Sequence, residues 1–310
     1  MRFHELKRQP MPKDSVVRWG AGLLTALALA ACGGGGGGVT KDQSSACPTD
    51  SLTGLTWSSE AAGTINFAGV GALQTEANTV SLCGYSDWRM PTANELFGLT
   101  TPTGTASPSA GSNALTLSGR YWSAESVVGA TDNAWVVDAT VGGATAFVAK
   151  TDSNKVRLVR GGSLPSACGE SSRYQTRGDG TVTDSLTALM WKQCSEGLSG
   201  NACDQGSLQA FTSLQSLQSR VVDANVAGDK GFSDWRLPTR NELASLLNRA
   251  CSAPALEAGV FPTTAQASYA SNTTDANAAD RFWYVDFRQG DVGVGSLDKG
   301  RHLRLVRAGR

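Results

Sequence analysis

The stretch Gly231-Phe-Ser-Asp-Trp-Arg-Leu-Pro-Thr-Arg-Asn-Glu-Leu243 decides the fold, because it occurs twice in the chain. Its other copy, Gly84-Tyr-Ser-Asp-Trp-Arg-Met-Pro-Thr-Ala-Asn-Glu-Leu96, lies 147 residues earlier. Downstream, Val156-Arg-Leu-Val-Arg160 and Leu303-Arg-Leu-Val-Arg307 are separated by the same 147 residues. A repeat of this length is a whole domain rather than one turn of a solenoid, whose period is about 20–50 residues.

The repeated stretch predicts a strand, a sharp corner and a capped helix. The residue before a proline is pushed out of the α region, so the Asp-Trp-Arg segment is expected to end a strand. Thr239 and Glu242 then fit a capping box, and Thr92 and Glu95 fit the same pattern in the other copy. These four side chains are therefore interpreted as structural, and the glutamates are not treated as catalytic.

A third pair of blocks sets the order of the repeat. The stretch Asp50-Ser-Leu-Thr-Gly-Leu-Thr-Trp57 matches Asp184-Ser-Leu-Thr-Ala-Leu-Met-Trp191 at a separation of 134 residues, so the second copy holds 13 extra residues after Trp191. The expected divisions are a signal peptide over 1–31, a glycine-rich tether over 32–46, a first domain over 47–161, a linker over 162–167 and a second domain over 168–310.

Periodicity predicts the remaining elements. A short helix is expected over 68–79, and an amphipathic helix is expected from the spacing of Leu208, Phe211, Leu214, Leu217 and Val221. Alternation and β-branched content predict closing strands at 120–125 and 134–138, with a long loop over 100–119. Each domain is expected to begin and end with a strand.

Composition favours loop-rich α+β modules and argues against nucleic-acid binding. The chain has 36 glycines, 7% aromatic residues and 17% charged residues. Without the first 31 residues it would carry 22 basic and 25 acidic side chains, a net charge of −3. General nucleic-acid binders depend on cation–phosphate contacts, so this balance predicts no nucleic-acid partner.

The N-terminus predicts export and a lipid anchor. A basic segment precedes the apolar residues 19–31, which are too few to span a bilayer but suit a signal peptide. The segment ends in Leu29-Ala-Ala-Cys32, which resembles a bacterial lipobox with Cys32 as the acylated residue. The alternative is an ordinary secretory signal cut near Ala31. In lipoproteins of this kind, a residue other than aspartate after the cysteine, here Gly33, implies the outer membrane. The sequence does not distinguish its cell-surface face from its periplasmic face.

Export to an oxidising compartment predicts disulfides. The first domain holds Cys47 and Cys83, which have one pairing available. The second domain holds four cysteines and allows three pairings, of which Cys194–Cys203 with Cys168–Cys251 is preferred because it closes a short loop inside the extra segment. A zinc site is less favoured, since His302 is the sole histidine after the signal peptide and the spacing CxxC is absent.

The combined motifs resemble a known bacterial family. Asp-Trp-Arg-Leu-Pro-Thr-x-x-Glu-Leu, a later Trp-x-Val-Asp strand and a terminal Val-Arg-Leu-Val-Arg are similar to the Lcl C-terminal-like domains, over nearly all of 47–161 and 173–308. The Arg-Leu-Pro-Thr-x-x-Glu corner also resembles the C-type-lectin-like superfamily. The resemblance implies two tandem α+β domains, each with a small antiparallel sheet, one or two helices and long loops.

The resemblance also implies a function in surface adhesion, with binding of sulfated polysaccharide known for the family's namesake. Cations and aromatic rings are the groups that recognise such a ligand. The candidate ligand-binding residues are Arg281, Trp283, Arg288, Lys299 and Arg301, with Tyr284 beside them, and Trp122, which is aligned with Tyr269. Arg304 and Arg307 are interpreted as structural, because Arg157 and Arg160 occupy the same places in the other copy.

Other chemistries have weaker support in the sequence. Calcium binding by lectin analogy would use Asp275, Asn277 and Asp280, but their spacing is not that of an EF-hand, so no cofactor or metal is predicted. No nucleophile elbow or histidine cluster is present, so no enzyme activity is expected. The alternative function is a structural or protein-binding module of the cell envelope without a sugar site.

Overall fold

The computed structural model describes residues 47–50, 53–61, 63–101, 115, 117–162 and 167–309. The predicted signal peptide, Cys32 and the glycine-rich tether lie outside these residues, as does most of the predicted loop over 100–119. Within the described ranges, no helix combines the length and the apolar composition needed to cross a membrane.

The described residues of the first domain form seven strands and two α-helices. They are β1 (Thr56–Trp57), β2 (Ile65–Asn66), α1 (Phe67–Thr79), α2 (Ala93–Gly98), β3 (Arg120–Val127), β4 (Ala130–Asp138), β5 (Ala144–Ala149), β6 (Ser153–Asn154) and β7 (Val159–Arg160). The antiparallel sheet β3-β4-β5 is the largest, and β1 pairs with β7. The first and last strands of the domain therefore meet, as the sequence predicts.

The second domain repeats this order and adds two pairs of strands. Its elements are β8 (Tyr174–Thr176), β9 (Thr181–Asp184), β10 (Leu189–Lys192), β11 (Leu198–Ser199), β12 (Gln205–Gly206), α3 (Leu214–Val226), α4 (Arg240–Ser245), β13 (Ser268–Asp275), β14 (Ala278–Asp286), β15 (Asp291–Ser296) and β16 (Val306–Ala308). The added pairs are β8 with β9 and β11 with β12. The sheet β13-β14-β15 corresponds to β3-β4-β5, while β16-β10-β9-β8 forms a four-stranded sheet. The hairpin β11–β12 belongs to the extra segment after Trp191. The predicted α+β class with two tandem domains is confirmed.

The predicted helices are confirmed with one correction. The capping boxes of α2 and α4 are both formed, and α1 lies where the short helix is expected. The amphipathic helix, however, begins only at Leu214, so the inclusion of Leu208 and Phe211 was wrong. Phe211 instead exchanges two backbone hydrogen bonds with Arg301, at 2.8 and 2.9 Å, and Ser213 caps the helix that follows.

The repeated motif forms two ion pairs in each domain. Arg89 of the first copy donates to Glu95 at 2.6 Å, and Arg236 donates to Glu242 at the same distance. The aspartate of the motif pairs with the last arginine of the domain, so that Asp234 accepts from Arg307 at 2.6 and 3.1 Å. The motif is therefore a device that joins the strand, the capped helix and the final strand.

Tryptophans fill the centre of each domain. Trp57 and Trp191 are fully buried, and Trp88 and Trp235 are 1% and 2% exposed, as predicted for core residues. The backbone of Trp235 exchanges two hydrogen bonds with the side-chain amide of Asn225 on α3, at 2.7 and 2.9 Å. These two hydrogen bonds hold α3 against the repeated stretch 231–243.

Equivalent elements of the two domains face each other. Helix α2 contacts α4, and the edge strand β5 contacts the edge strand β15. The amide of Val292 donates to the hydroxyl of Thr145 at 2.7 Å, and these residues are equivalent in the repeat. Contact between equivalent positions is the property of an interface with two-fold symmetry, here approximate and inside one chain.

Two buried arginines of the second domain hold this interface. Arg240 donates to the carbonyl oxygens of Thr100, at 2.7 Å, and of Gly142. Its guanidinium carbon lies 4.6 Å from the Phe97 ring centroid and 4.4 Å from that of Trp283. Burial lowers the pKa of Arg240 to about 10.

The second buried arginine is Arg249. It donates to the side chain of Asn94 at 2.7 Å and to the carbonyl oxygen of Gly290 at 2.8 Å. Asn94 in turn donates to the carbonyl oxygen of Leu247 at 2.9 Å, so each domain contributes donors and acceptors to the other.

Candidate functional site

The three predicted disulfides are present. They join Cys47 to Cys83, Cys168 to Cys251 and Cys194 to Cys203. In the described part of the chain, the one group of side chains close enough to share a metal ion is Cys168, Cys251 and Glu257, whose two cysteines are bonded to each other. A disulfide has no thiolate to offer a metal, so this group is structural.

The terminal arginines have structural roles, as expected. Arg304 is fully buried and donates to the hydroxyl of Thr264 at 2.7 Å and to that of Ser195 at 3.2 Å. Burial lowers the pKa of its guanidinium group. Arg307 forms an ion pair with Asp234. Neither Arg304 nor Arg307 is therefore available to an external ligand.

Three of the predicted ligand-binding side chains are buried, and for them the prediction was wrong. Trp122 and Tyr269 are fully buried, and Trp283 is 1% exposed beneath Arg240 in the interface between the domains. Trp122 donates its indole N–H to the carbonyl oxygen of Ile65 at 2.8 Å. A side chain in such a position packs the core and cannot stack on a sugar.

The alignment of Trp122 with Tyr269 was also wrong. Tyr121 forms a backbone bridge to Lys155, and Tyr269 forms the equivalent bridge to His302, so the two tyrosines correspond to each other. The separation of the repeat rises from 147 to 148 residues over these strands and then returns to 147.

Tyr121 and its neighbours form a cluster of titratable groups in the first domain. The Tyr121 hydroxyl donates to Glu60, and Glu60 accepts from Lys155 at 2.8 Å. Burial, followed by the Glu60 contact, raises the pKa of Tyr121 to about 12. A phenol in this state is neutral at pH 7, which suits a hydrogen bond that fixes the nearby loop rather than proton transfer.

The four predicted cations do not form one cluster. Arg288 lies at the turn of the β14–β15 hairpin, where it contacts the carbonyl oxygen of Gln266 at 3.5 Å. Arg281, Lys299 and Arg301 lie at the opposite end of that hairpin, near Ser296. Arg288 is therefore separate from the other three.

One of these three cations, Arg301, contacts the ring of Tyr284 in the middle of β14. The guanidinium carbon of Arg301 lies 4.1 Å from the Tyr284 ring centroid, the distance of a cation–π contact. Lys299, two residues before Arg301 in the sequence, is exposed. We call Tyr284, Lys299 and Arg301 the Tyr284 face.

Arg281 flanks this face rather than joining it. Alternation along β14 puts its side chain on the other side of the sheet from Tyr284. It donates to the carbonyl oxygen of Val294 on the edge strand β15 at 3.2 Å, and it is exposed. Asp275 lies 3.7 Å away and partly offsets its charge.

Two glycines make room for the Tyr284 face. A Cβ atom at Gly293 would lie 2.8 Å from the Tyr284 hydroxyl, and one at Gly295 would lie 2.8 Å from a guanidinium nitrogen of Arg301. A larger residue at either position would displace the ring or the cation. Glycine at both places on β15 therefore leaves the space that the ring and the guanidinium group occupy over the sheet.

Acidic residues limit the face on one side. Asp286 and Asp291 are paired in register on β14 and β15, next to Tyr284 and Gly293. Asp286 accepts from the Ser268 hydroxyl at 2.9 Å and from the Arg288 amide at 2.8 Å. A third acid, Asp298, lies beside the cations: a hydrogen bond from Ser296 and the charges of Lys299 and Arg301 lower its pKa. The positive charge of Lys299 and Arg301 is therefore partly offset.

The residues considered for calcium, Asp275, Asn277 and Asp280, lie at and near the tip of the β13–β14 hairpin. Asp275 accepts from the amide of Asn277 at 3.0 Å, and Asp280 is exposed further along β14. The Asp275 carboxylate is already shared between this turn and Arg281. The arrangement is that of a hydrogen-bonded turn in solvent.

Comparison of the two domains inside the chain identifies what is particular to the second. The first domain has Val136 in place of Tyr284, Asp152 in place of Lys299 and Asn154 in place of Arg301, and Val136 is fully buried. Gly293 and Gly295 correspond to Ala146 and Val148. The fold alone does not require the Tyr284 face, because the first domain forms the same sheet without it.

The fold and its motifs define a class of tandem α+β domains stapled by disulfides and by ion pairs of the repeated stretch. A family model for the Lcl C-terminal domain matches the chain twice, over residues 46–160 and 180–307. The chain therefore belongs to the Lcl C-terminal domain family, which indicates a cell-surface or envelope module. A search of curated proteins found no match.

Proposed function

We propose that this envelope module binds anionic glycans, with sulfated polysaccharide as the preferred class, through the Tyr284 face of the second domain. The observation that carries the proposal is the difference between the domains. The second domain has an aromatic ring and two glycines on the sheet and two cations just after it, where the first domain has valine, two larger residues, an acid and an amide.

The chemistry of the face suits this ligand class. A guanidinium group presents a planar set of donors that matches the oxygens of a sulfate group, and Lys299 adds a mobile charge. The Tyr284 ring offers an apolar surface and a hydroxyl to a sugar. Its contact with Arg301 holds both groups in place before the ligand arrives, which lowers the entropy lost on binding.

The test is binding of the purified protein to heparin and chondroitin sulfate at low and moderate salt. Lys299→Ala with Arg301→Ala should weaken binding by roughly tenfold or more, since each such contact contributes about 1–3 kcal/mol. Arg177→Ala with Arg288→Ala is the matched control, because it removes the same charge from two exposed arginines elsewhere. Binding should also weaken as salt rises, because exposed charges are screened.

Two results would contradict the proposal. If both double variants lose affinity equally, net charge rather than the Tyr284 face determines binding. If the unaltered protein binds neither polysaccharide at low salt, the function is not recognition of this ligand class.

We further propose that the module is attached to the bacterial outer membrane by a lipid on Cys32. The support is the Leu29-Ala-Ala-Cys32 sequence that closes the apolar segment. Replacement of Cys32 by serine should move the protein from the membrane fraction to the soluble fraction. Equal membrane association of both forms would exclude this anchor.

A second candidate function is binding of an envelope protein. Helix α3 exposes Val222 and Val226, which are 58% and 83% exposed, whereas the first domain has Thr75 and Thr79 at the same places. Val222→Thr with Val226→Thr restores the polar surface of the first domain. Loss of a cross-linked envelope partner in this variant, with polysaccharide binding unchanged, would favour the second candidate.

A further inference from the structure

A groove on the second domain is separate from the Tyr284 face. It lies between the extra segment after Trp191 and the first turns of α3, and its volume is about 540 Å³, within the range of about 300–1,000 Å³ found for small-molecule sites. Gly197 forms one wall and Gln215 and Ser219 of α3 form the other wall, while Phe211, which is 7% exposed, adds a small apolar area. We call this space the α3 groove.

The wall opposite the helix is held rigidly. Gly197 has φ +92°, and a Cβ atom there would lie 2.1 Å from the carbonyl oxygen of Ser207, so glycine is required. The amide of Ser207 donates to the carbonyl oxygen of Gly197 at 3.0 Å, and the Cys194–Cys203 disulfide closes the same loop. A preformed wall of this kind lowers the cost of ordering a site when a ligand binds.

A buried ion network fixes the spacing between wall and helix. Arg220 of α3 donates to Glu196 at 2.6 Å, and Glu196 also accepts from Lys192 at 2.8 Å. The Glu196 side chain is only 2% exposed. The width of the groove is therefore set by these contacts and not by loose loop packing.

The groove offers hydrogen-bonding groups but no net positive charge. Within the described residues, the side chains of Gln209, Gln215 and Ser219 make no hydrogen bond, so their donors and acceptors face solvent. Arg220 is neutralised by Glu196, and Asp223 adds a negative charge at the rim. Amides and hydroxyls without excess cation suit an uncharged ligand rich in hydroxyl groups.

The first domain does not build this groove. The positions of Gln215, Ser219 and Arg220 hold Ala68, Ala72 and Leu73 there, and the extra segment is absent. The groove is thus another addition to the shared fold, and it uses different residues from the Tyr284 face.

We propose that the α3 groove binds an uncharged oligosaccharide. This site goes beyond the proposed recognition of anionic glycans and does not depend on it. Gln209, Gln215 and Ser219 supply the hydrogen bonds, and the sugar lies against the small exposed part of Phe211.

The experiment is titration of the purified full-length protein with maltose, cellobiose, lactose and di-N-acetylchitobiose, followed by calorimetry and NMR. At least one disaccharide should bind with saturation below about 10 mM, the weak range expected for a small polar ligand. Ser219→Trp fills the groove and should weaken that binding by roughly tenfold or more, which is about 1.4 kcal/mol or above. Gln215→Ala should weaken it to a smaller extent.

Gln218→Ala is the matched control, because Gln218 lies on the same helix but lines a different surface, and it should leave binding unchanged. Absence of saturation with all four sugars, or unchanged binding in Ser219→Trp, would overturn the proposal. Heparin binding measured on the same variants separates the two sites: Ser219→Trp should leave it unaltered, and Lys299→Ala with Arg301→Ala should leave disaccharide binding unaltered.

Discussion

The hydrogen bond from the amide of Val292 to the hydroxyl of Thr145, at 2.7 Å, joins two residues that occupy the same place in the two repeats. It lies between the edge strands β5 and β15, which otherwise expose unpaired backbone groups. An exposed strand edge is a site for pairing with other chains. The approximate two-fold arrangement therefore covers the two edges with each other.

Arg240→Ala should uncouple the domains. The substitution removes the hydrogen bonds to Thr100 and Gly142 and the contacts with Phe97 and Trp283. Alanine is already the residue at the equivalent helix position, Ala93, so the helix itself should tolerate it. Loss of buried hydrogen bonds and cation–π contacts should lower the free energy of unfolding by about 2–4 kcal/mol.

Urea unfolding of the Arg240→Ala variant measures this effect. Arg288→Ala serves as the control, since an exposed arginine should change stability by no more than about 0.5 kcal/mol. A change below about 1 kcal/mol for Arg240→Ala would show that the interface does not depend on this side chain.

The equivalent ion pairs Arg307–Asp234 and Arg160–Asp87 should contribute differently to the free energy of unfolding. Arg307 is 4% exposed and Arg160 is 24% exposed, although each pairs with an aspartate of its own domain at 2.6 Å. Removal of the more buried arginine leaves more packing unfilled, so Arg307→Ala should cost about 2–3 kcal/mol and Arg160→Ala about 1 kcal/mol. Chemical unfolding of both variants measures the two changes in the free energy of unfolding. Equal changes would argue against burial as the cause.

Asp291→Asn should stabilise the protein at neutral pH. Burial raises the pKa of the Asp291 carboxyl and the charge of Asp286 raises it further, while Arg249 opposes them. A carboxyl whose pKa is raised on folding stabilises the protein below its unfolded pKa, and this contribution is lost as pH rises through the folded value. At pH 7 the ionised group is thus unfavourable, and asparagine relieves it.

Thermal unfolding at pH 7 and at pH 3.5 tests this sign. The variant should have the higher unfolding temperature at pH 7, and the difference should shrink near pH 3.5. Asp298→Asn is a control of the opposite kind, because a hydrogen bond from Ser296 lowers the pKa of Asp298. A stability gain in both variants would mean that general charge removal, and not the Asp291 environment, is responsible.

The disulfides should contribute according to the length of chain that they close. The cysteines of Cys168–Cys251 are 83 residues apart and those of Cys194–Cys203 are 9 apart. In the chain-entropy model, replacing both cysteines by serine should cost about 4–5 kcal/mol for the first bond and about 2–3 kcal/mol for the second. Unfolding of the two double variants checks this order, and the reverse order would show that local contacts outweigh chain entropy.

Comparison of the repeats with each other predicted much of this fold. The capping boxes, the tryptophan core and the structural arginines depend on residues that occur twice, so a shared physical role could be inferred for each. The disulfides followed from even counts within each domain. Trp122 was paired with Tyr269 because a separation of 147 residues was applied to their strands, although the Trp-x-Val-Asp segments 135–138 and 283–286 are 148 residues apart.

The interface and the two candidate sites could not be predicted in the same way. Arg240, Arg249 and Phe97 act across the domain boundary, and their counterparts are different residues, so no repeated pattern marks them. The sequence alone does not show that the Tyr284 ring and the Arg301 guanidinium group occupy the space beside Gly293 and Gly295. The α3 groove depends on how the extra segment packs against the helix, which a length difference alone does not specify.

The unequal residues at the domain interface have a consequence for molecules crowded on a surface. Two first domains would bring Ala93 to the place of Arg240, and the carbonyl oxygens of Thr100 and Gly142 would lose their donor. Two second domains would bring Arg240 against Ala244 and Leu247 instead of Phe97 and Thr100. Each half therefore fits the other half of the chain better than a copy of itself, which disfavours pairing of like domains from adjacent molecules.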